Sequence, residues 1–279
     1  MMSDAVQVIV DSLHIYPIKS CAGVRVTALR FNDGGHIADD REWVVVNTDS
    51  EVVWQGSHPK LALVNPITSP DTLRLTTVGY QPVDIAQHPA KPVCQIKIWN
   101  DTTKMNDVLD GVDGGDQAAA FLQAVTGASL RVVRLSAAAV SRDAVNRVHI
   151  VSASSVNEVN SALKNRGSPA VDLYRFRPNV VVSNLDETLE PFLEEAITEL
   201  SWTDEGREGK LSTTQLCIRC VMPNVDPVTA DVSEETLQTV TTLSAARHQG
   251  KPVYFGTYAN INQASVLHEG TVLKATLNF

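Results

Sequence analysis

The sequence predicts a mainly β chain with a few helices, an α+β protein whose strands close into a barrel or stack as a sandwich. Three observations carry this reading. Short runs rich in Val, Ile, Leu, Thr and aromatic residues recur through the first hundred residues. Turn-forming groups separate them, with Asn-Asp-Gly-Gly at 32–35, Ser-Pro-Asp at 69–71 and Val-Gly-Tyr at 78–80. Only three stretches show helical periodicity.

In chain order, strands are expected over 7–18, 24–31, 43–47, 52–54, 72–77 and 93–99. A helix follows over 116–125, with an Ala/Phe/Leu face and Gly127 as its stop. A second helix is expected over 156–165. Ser155 and Glu158 give a capping-box pattern, Gly167 ends it, and Val156, Val159 and Leu163 recur at helical spacing. Strands return over 179–182 and 210–216. A third helix runs over 232–247, loosely capped by Asp231 and Glu234, with Leu237, Val240 and Leu243 as its buried stripe. Strands over 253–260 and 271–277 complete the chain. Periodicity is weakest over 136–148, which places a boundary there and divides 1–140 from 141–279.

Composition excludes several classes of function. The 279 residues are 43% hydrophobic and 20% charged, enough to bury a core without disulfides or metals. A net charge of −9 argues against a broad nucleic-acid surface, although it leaves room for a local basic pocket. Four cysteines in a chain this long do not make a disulfide scaffold. Met1-Met2-Ser3-Asp4 is not a signal peptide, and no apolar run approaches membrane-spanning length. The expectation is a cytoplasmic protein with reduced thiols and no membrane span.

Four segments could carry chemistry. Cys217-Ile218-Arg219-Cys220 holds two thiols around a guanidinium, which favours thiolate. A structural zinc site needs more ligands than Cys21 and Cys94 supply, and Pro223 does not suit a thioredoxin-type helix. Two ordinary thiols, or one thiolate on a soft metal whose other ligands come from a cofactor, remain open. In Tyr16-Pro17-Ile18-Lys19-Ser20, a strand end offers an ammonium and a hydroxyl to an anion. Arg175 and Arg177 lie two apart in an extended segment before Pro178 and Asn179, suiting phosphate or pterin oxygens. Arg41, in Asp40-Arg41-Glu42-Trp43, is an anion contact or half of an ion pair. The seven histidines show no metal-ligand spacing.

Together these segments resemble the MOSC-domain family, in the two-part form that carries a MOSC N-terminal β-barrel domain. Ile15-Tyr16-Pro17-Ile18-Lys19-Ser20-Cys21, Asp40-Arg41-Glu42-Trp43, Ser152-Ala153-Ser154-Ser155, Arg175-Phe176-Arg177-Pro178-Asn179, Cys217-Ile218-Arg219-Cys220 and Val225-Asp226-Pro227-Val228-Thr229 follow in family order. The resemblance implies an N-terminal β-barrel-like domain over 1–140 and a C-terminal MOSC β-barrel domain over 141–279, with the site between them. It implies a molybdenum cofactor (Mo-molybdopterin) whose metal is ligated by Cys220. Lys19, Ser20, Arg41, Ser152, Arg177, Asn179 and Arg219 would contact the cofactor, and Asp226 would relay a proton. Cys217 would be a neighbouring thiol that only packs.

The activity implied is reduction of N-hydroxylated small molecules, with electrons from a separate ferredoxin, flavodoxin or cytochrome-type donor. The alternative is a non-catalytic cofactor-binding or sulfur-carrier protein. One departure matters. Ala230 stands where relatives have glycine, so a left-handed backbone there would cost about 1 kcal/mol.

Overall fold

The computed structural model describes residues 5–32, 35–90, 92–100, 103–141, 147–184, 190–250, 252–263 and 265–278. The first part of the chain supplies β1 (Ala5–Ile15), β2 (Val24–Val26), β3 (Ala28–Leu29), β4 (Trp43–Val46), β5 (Asn65–Thr68), β6 (Thr72–Thr76), β7 (Val83–Ala86), β8 (Val93–Asn100), β9 (Met105–Asp113) and β10 (Arg131–Leu135). Helices α1 (Asp116–Thr126) and α2 (Ala137–Val140) lie beside β10 in sequence. The second part supplies β11 (Val148–Ser152), α3 (Ala153–Asn165), β12 (Val180–Asn184), β13 (Ile197–Asp204), β14 (Arg207–Ile218), α4 (Glu235–Arg247), β15 (Tyr254–Gln263), β16 (Leu267–His268) and β17 (Val272–Leu277).

Seven strands close into a barrel in the order β12-β11-β15-β14-β13-β17-β1, and β1 returns to β12. Every pairing is antiparallel except β11 with β12, which α3 connects as a βαβ crossover. The barrel interior is filled by Val10, Leu13, Ile150, Val182, Leu200, Leu211 and Leu273 among others. Two further sheets lie in the first part, one ordered β4-β10-β9-β8 and one β5-β6-β7. Trp43, Leu61, Leu73, Leu122 and Val132 pack the second hydrophobic cluster there. The mainly β expectation therefore holds, and the barrel form is realised.

β1 belongs to the first 140 residues by sequence and to the barrel by hydrogen bonding, since it pairs with both β12 and β17. Its sequence shows why. Val8 and Val10 are buried, then the phase shifts and Leu13 and Ile15 are buried. A bulge against β12 falls between Val10 and Ser12 and makes that shift. Residues 142–146, in the middle of the expected boundary, and 33–34 of the expected turn at 32–35 lie outside the described residues.

Several elements differ from expectation. The expected strand at 52–54 is a single bridge between Val46 and Val52. The cap of α3 is Ser152, whose hydroxyl accepts the Ser155 N–H at 3.1 Å, so Ser155 sits inside the first turn. Helix α4 starts at Glu235 with no side-chain cap at Glu234. Its buried positions are Thr236, Thr239, Val240 and Ser244, with Leu237 and Leu243 only partly covered. Among the described residues, no helix is long and apolar enough to cross a membrane.

Candidate functional site

The site forms where the chain leaves β1. The Lys19 N–H donates to the Trp43 carbonyl at 2.8 Å, Trp43 to Pro17 at 3.1 Å, and Arg41 to Tyr16 at 2.8 Å. These bonds lay residues 16–20 beside 40–43. The start of β12 joins them through Asn179, whose side chain is fully buried. Asn179 Nδ2 donates to the His14 carbonyl at 3.1 Å. Its Oδ1 accepts from the His149 N–H at 3.2 Å and from Arg41 Nη1 at 3.2 Å. One amide thus ties β1, β11, β12 and the Arg41 loop together.

Two guanidiniums face this junction. Arg41 also donates to Asp40 Oδ2 and, at 3.5 Å, to the Arg177 carbonyl. Arg177 Nη1 donates to the Cys21 carbonyl at 2.6 Å. Burial brings the Arg177 pKa down to about 10, partly offset by Tyr16 and reinforced by the like charge of Arg41. Both arginines stay charged at neutral pH. Two polar atoms here are buried without a partner among the described residues, Arg177 Nη2 and the Ser20 hydroxyl. A buried donor left open costs about 1–3 kcal/mol, so the pair marks where a polar group fits.

The backbone is strained at the same points. Ser20, Arg41 and Arg177 have φ of 71°, 54° and 57°, in the left-handed region that side chains disfavour. Such residues persist where the surroundings fix them, and they gather at ligand sites.

The cysteine motif closes one side of the site. Cys217, near the end of β14, is buried, whereas Cys220, two residues past the strand, is exposed. Arg219 Nη1 donates to Cys217 Sγ at 3.0 Å and Nη2 to the Phe176 carbonyl at 3.1 Å. This corrects the expectation for Cys217, which does more than pack. Burial pushes its thiol up, but the Arg219 and His149 charges and hydrogen bonds from His149 and Tyr258 pull it below the ordinary range. The Arg219 guanidinium bonds the first cysteine of the motif. The bond to Phe176 sets the motif beside Arg177 and leaves the Cys220 thiol open to approach. Among the described residues, no cluster of three or more His, Cys, Asp or Glu side chains is placed to hold a metal ion.

The remaining candidates are placed differently. Asp226 Oδ2 accepts from Arg175 Nη2 at 2.7 Å, and Oδ1 accepts the Val228 and Thr229 N–H groups at 2.8 and 3.0 Å. Its pKa is lowered, because these hydrogen bonds and the Arg175 charge outweigh burial. A carboxylate held ionised in this way suits a turn anchor better than a proton relay at neutral pH. That turn ends at Ala230, with φ of 62°, the left-handed geometry that glycine would adopt freely. Ser152 is buried in the α3 cap, bonded to the Ser155 hydroxyl at 2.7 Å, and Ser155 bonds Glu194 at 2.8 Å. It sits three residues along β11 from His149, roughly 10 Å away, and no hydrogen bond joins it to the arginine pair among the described residues.

Tyr16, Asp40, His149 and Tyr258 also belong to the site. Asp40 accepts the Tyr16 N–H at 2.6 Å and balances one arginine charge. His149 lies opposite Tyr258 in the β11–β15 register, with ring centroids 5.2 Å apart, beside Cys217. No spacing in the sequence foreshadows that pairing, because a strand register creates it.

Comparison with known proteins agrees with this architecture. Residues 7–129 match the MOSC N-terminal beta barrel domain and residues 138–274 the MOSC domain. The chain is 28% identical over 290 residues to mitochondrial amidoxime reducing component 2 of Rattus norvegicus, covering 94% of this chain and 81% of that protein. It is 26% identical to mitochondrial amidoxime-reducing component 1 of Xenopus laevis, over 94% of this chain and 80% of that one. It is 27% identical to molybdenum cofactor sulfurase of Danio rerio, over 88% of this chain but 31% of that larger protein. The two domain matches account for nearly all of the barrel, the site loops and the open sheets, and the chain belongs to the family in which a MOSC N-terminal beta barrel domain precedes a MOSC domain.

Proposed function

We propose that this chain is a molybdenum-cofactor oxidoreductase that reduces N-hydroxylated small molecules with electrons from a separate donor protein. The observation that carries the reading is the meeting of four distant segments. Residues 19–21, 40–41, 175–179 and 217–220 come together with four guanidiniums, four buried polar atoms that have no partner among the described residues (Ser20 Oγ, Arg175 Nε, Arg177 Nη2 and Arg219 Nε) and one exposed thiol. This donor set fits a ligand that is anionic at one end and carries a soft metal at the other. Arg41, Arg177 and Ser20 would hold the anionic end, with Lys19 beside them in sequence. Asn179 fixes Arg41 from beneath. Cys220, whose side chain is exposed, would give the metal its protein thiolate. When bound, the cofactor supplies the two-electron chemistry that N–O bond reduction requires.

A second reading rests on the exposure of Cys220 and the similarity to a cofactor sulfurase. In it the chain binds the cofactor or carries sulfur without reducing a substrate. One experiment separates the two. The chain is made in cells that synthesise the cofactor, assayed for molybdenum, and given N-hydroxylated substrates with a chemical reductant. The reductase reading expects molybdenum near one atom per chain and turnover, both lost in Cys220→Ala. Molybdenum without turnover supports the cofactor carrier, and a folded wild type without molybdenum removes the reductase and the cofactor-carrier readings and leaves only sulfur transfer through Cys220.

A further inference from the structure

The two arginines of the site share an aromatic support that the family resemblance does not explain. The Tyr16 ring is fully buried, with Arg177 Cζ 4.1 Å and Arg41 Cζ 4.9 Å from its centroid. Like charges this close repel, and Asp40 balances only one of them. An aromatic face offers both cations a partner that does not neutralise them. The ring is also fixed at each end. Its backbone N–H donates to Asp40 Oδ1 at 2.6 Å, and its hydroxyl donates to the Pro178 carbonyl at 3.1 Å. Gly23 closes the space around it, because a Cβ there would come within 2.5 Å of Tyr16 Cε1. The residues being held are the strained ones, Arg41 and Arg177, and the atom left open beside them is Arg177 Nη2.

We propose that Tyr16 is a positioning residue that holds Arg41 and Arg177 together as a preformed seat for a phosphate-like anion. The proposal rests on the reading of the site as the holder of a cofactor's anionic end. A ring does this better than a second carboxylate. Another Asp would neutralise the remaining charge and remove the attraction for the anion, whereas the ring leaves the pair with a net positive charge. The hydroxyl is a strut to Pro178, and the face does the holding. That division of roles gives the test its direction.

Inorganic phosphate is titrated calorimetrically, at low ionic strength, into wild type, Tyr16→Phe, Tyr16→Leu and Gly23→Ala made in cells that cannot synthesise the cofactor, each checked for fold by circular dichroism. Phenylalanine keeps the face, so its phosphate affinity is expected within about twofold of wild type. Leucine removes the face and should weaken binding about tenfold, the scale of two partly buried cation–π contacts. Gly23→Ala displaces the ring without removing it and should weaken binding severalfold. Equal affinity in leucine and wild type overturns the proposal. So does a loss in phenylalanine as large as in leucine, which would make the hydroxyl strut the whole effect. If the leucine variant does not fold, a folded Gly23→Ala with unchanged affinity overturns it alone. A wild type that binds no phosphate also overturns it. Molybdenum assay of wild type made in cells that synthesise the cofactor is the separate arm: phosphate binding without molybdenum keeps the seat and removes the cofactor reading.

Discussion

The barrel side of the site and the loop side are built on opposite principles. On the barrel side, Asn179 makes three side-chain hydrogen bonds, and Arg219 pairs through both terminal nitrogens with Cys217 and Phe176, its Nε alone having no partner among the described residues. On the loop side, Ser20 is left-handed and buried with an open hydroxyl, and Arg41 is left-handed on a short loop. Arg177 stands between them, bonded through one nitrogen and open at another. A satisfied group stabilises the fold without a ligand, whereas an open buried one costs stability until a ligand arrives. The barrel side is therefore a frame, and the loop side is a receptor.

The largest expected effect tests the frame. Asn179→Ala strands the His14 carbonyl, the His149 N–H and one Arg41 donor, and should cost about 4 kcal/mol in denaturant unfolding. A loss below about 1 kcal/mol would break the comparison at its strongest point. His14 gives a pH test of the same frame. Burial, then the Arg25 charge, push its pKa from 6.5 to about 4. Between those values the unfolded chain binds a proton that the folded one refuses, so stability falls as pH falls. The loss is up to about 3 kcal/mol, and His14→Gln should flatten it.

Cys217→Ala leaves the Arg219 guanidinium without its anionic partner and should cost about 2 kcal/mol. Molybdenum should be retained in that variant, since Cys220 is untouched. Ala230→Gly relieves a left-handed alanine and should raise stability by about 1 kcal/mol, sharpening the contrast by removing strain from a barrel-side loop. On the receptor side no loss of stability is expected. Ser20→Ala removes an open buried hydroxyl together with its desolvation cost, so stability should rise by about 1 kcal/mol. Phosphate affinity should nevertheless fall severalfold in the same titration. A large stability loss there would show that Ser20 is part of the frame.

Much of this was legible in the sequence, for identifiable reasons. Helices α1, α3 and α4 were visible because periodicity and a glycine stop agree in two of the three. Strands such as β6 and β8 were visible because one face is buried and the other wet, which alternation records. β11 was missed because all five residues are buried, so nothing alternates. β9 was missed because Asn106, Asp107, Asp110 and Gly111 dilute its strand formers. The motifs named Arg41, Arg177 and Asn179, which hydrogen bonds join in the fold. They could not reveal that Arg219 turns to Cys217, or that Tyr258 faces His149, because cross-strand register and side-chain direction set those contacts. The left-handed turn at Ala230 was anticipated, since only one residue type adopts that geometry without cost.

β1 also has a consequence for the order in which the chain can acquire structure. β1 is hydrogen-bonded to β12 and to β17, the last strand of the barrel. During synthesis only its end, Leu13–Ile15, can pair early, with β2, and the rest of its edges wait for β12 and β17 to emerge. Contacts so far apart in sequence slow the closing step and lengthen the exposure of a strand edge. Loss of the first fifteen residues would open the barrel between β12 and β17, on the wall that carries Asn179, instead of trimming a dispensable tail.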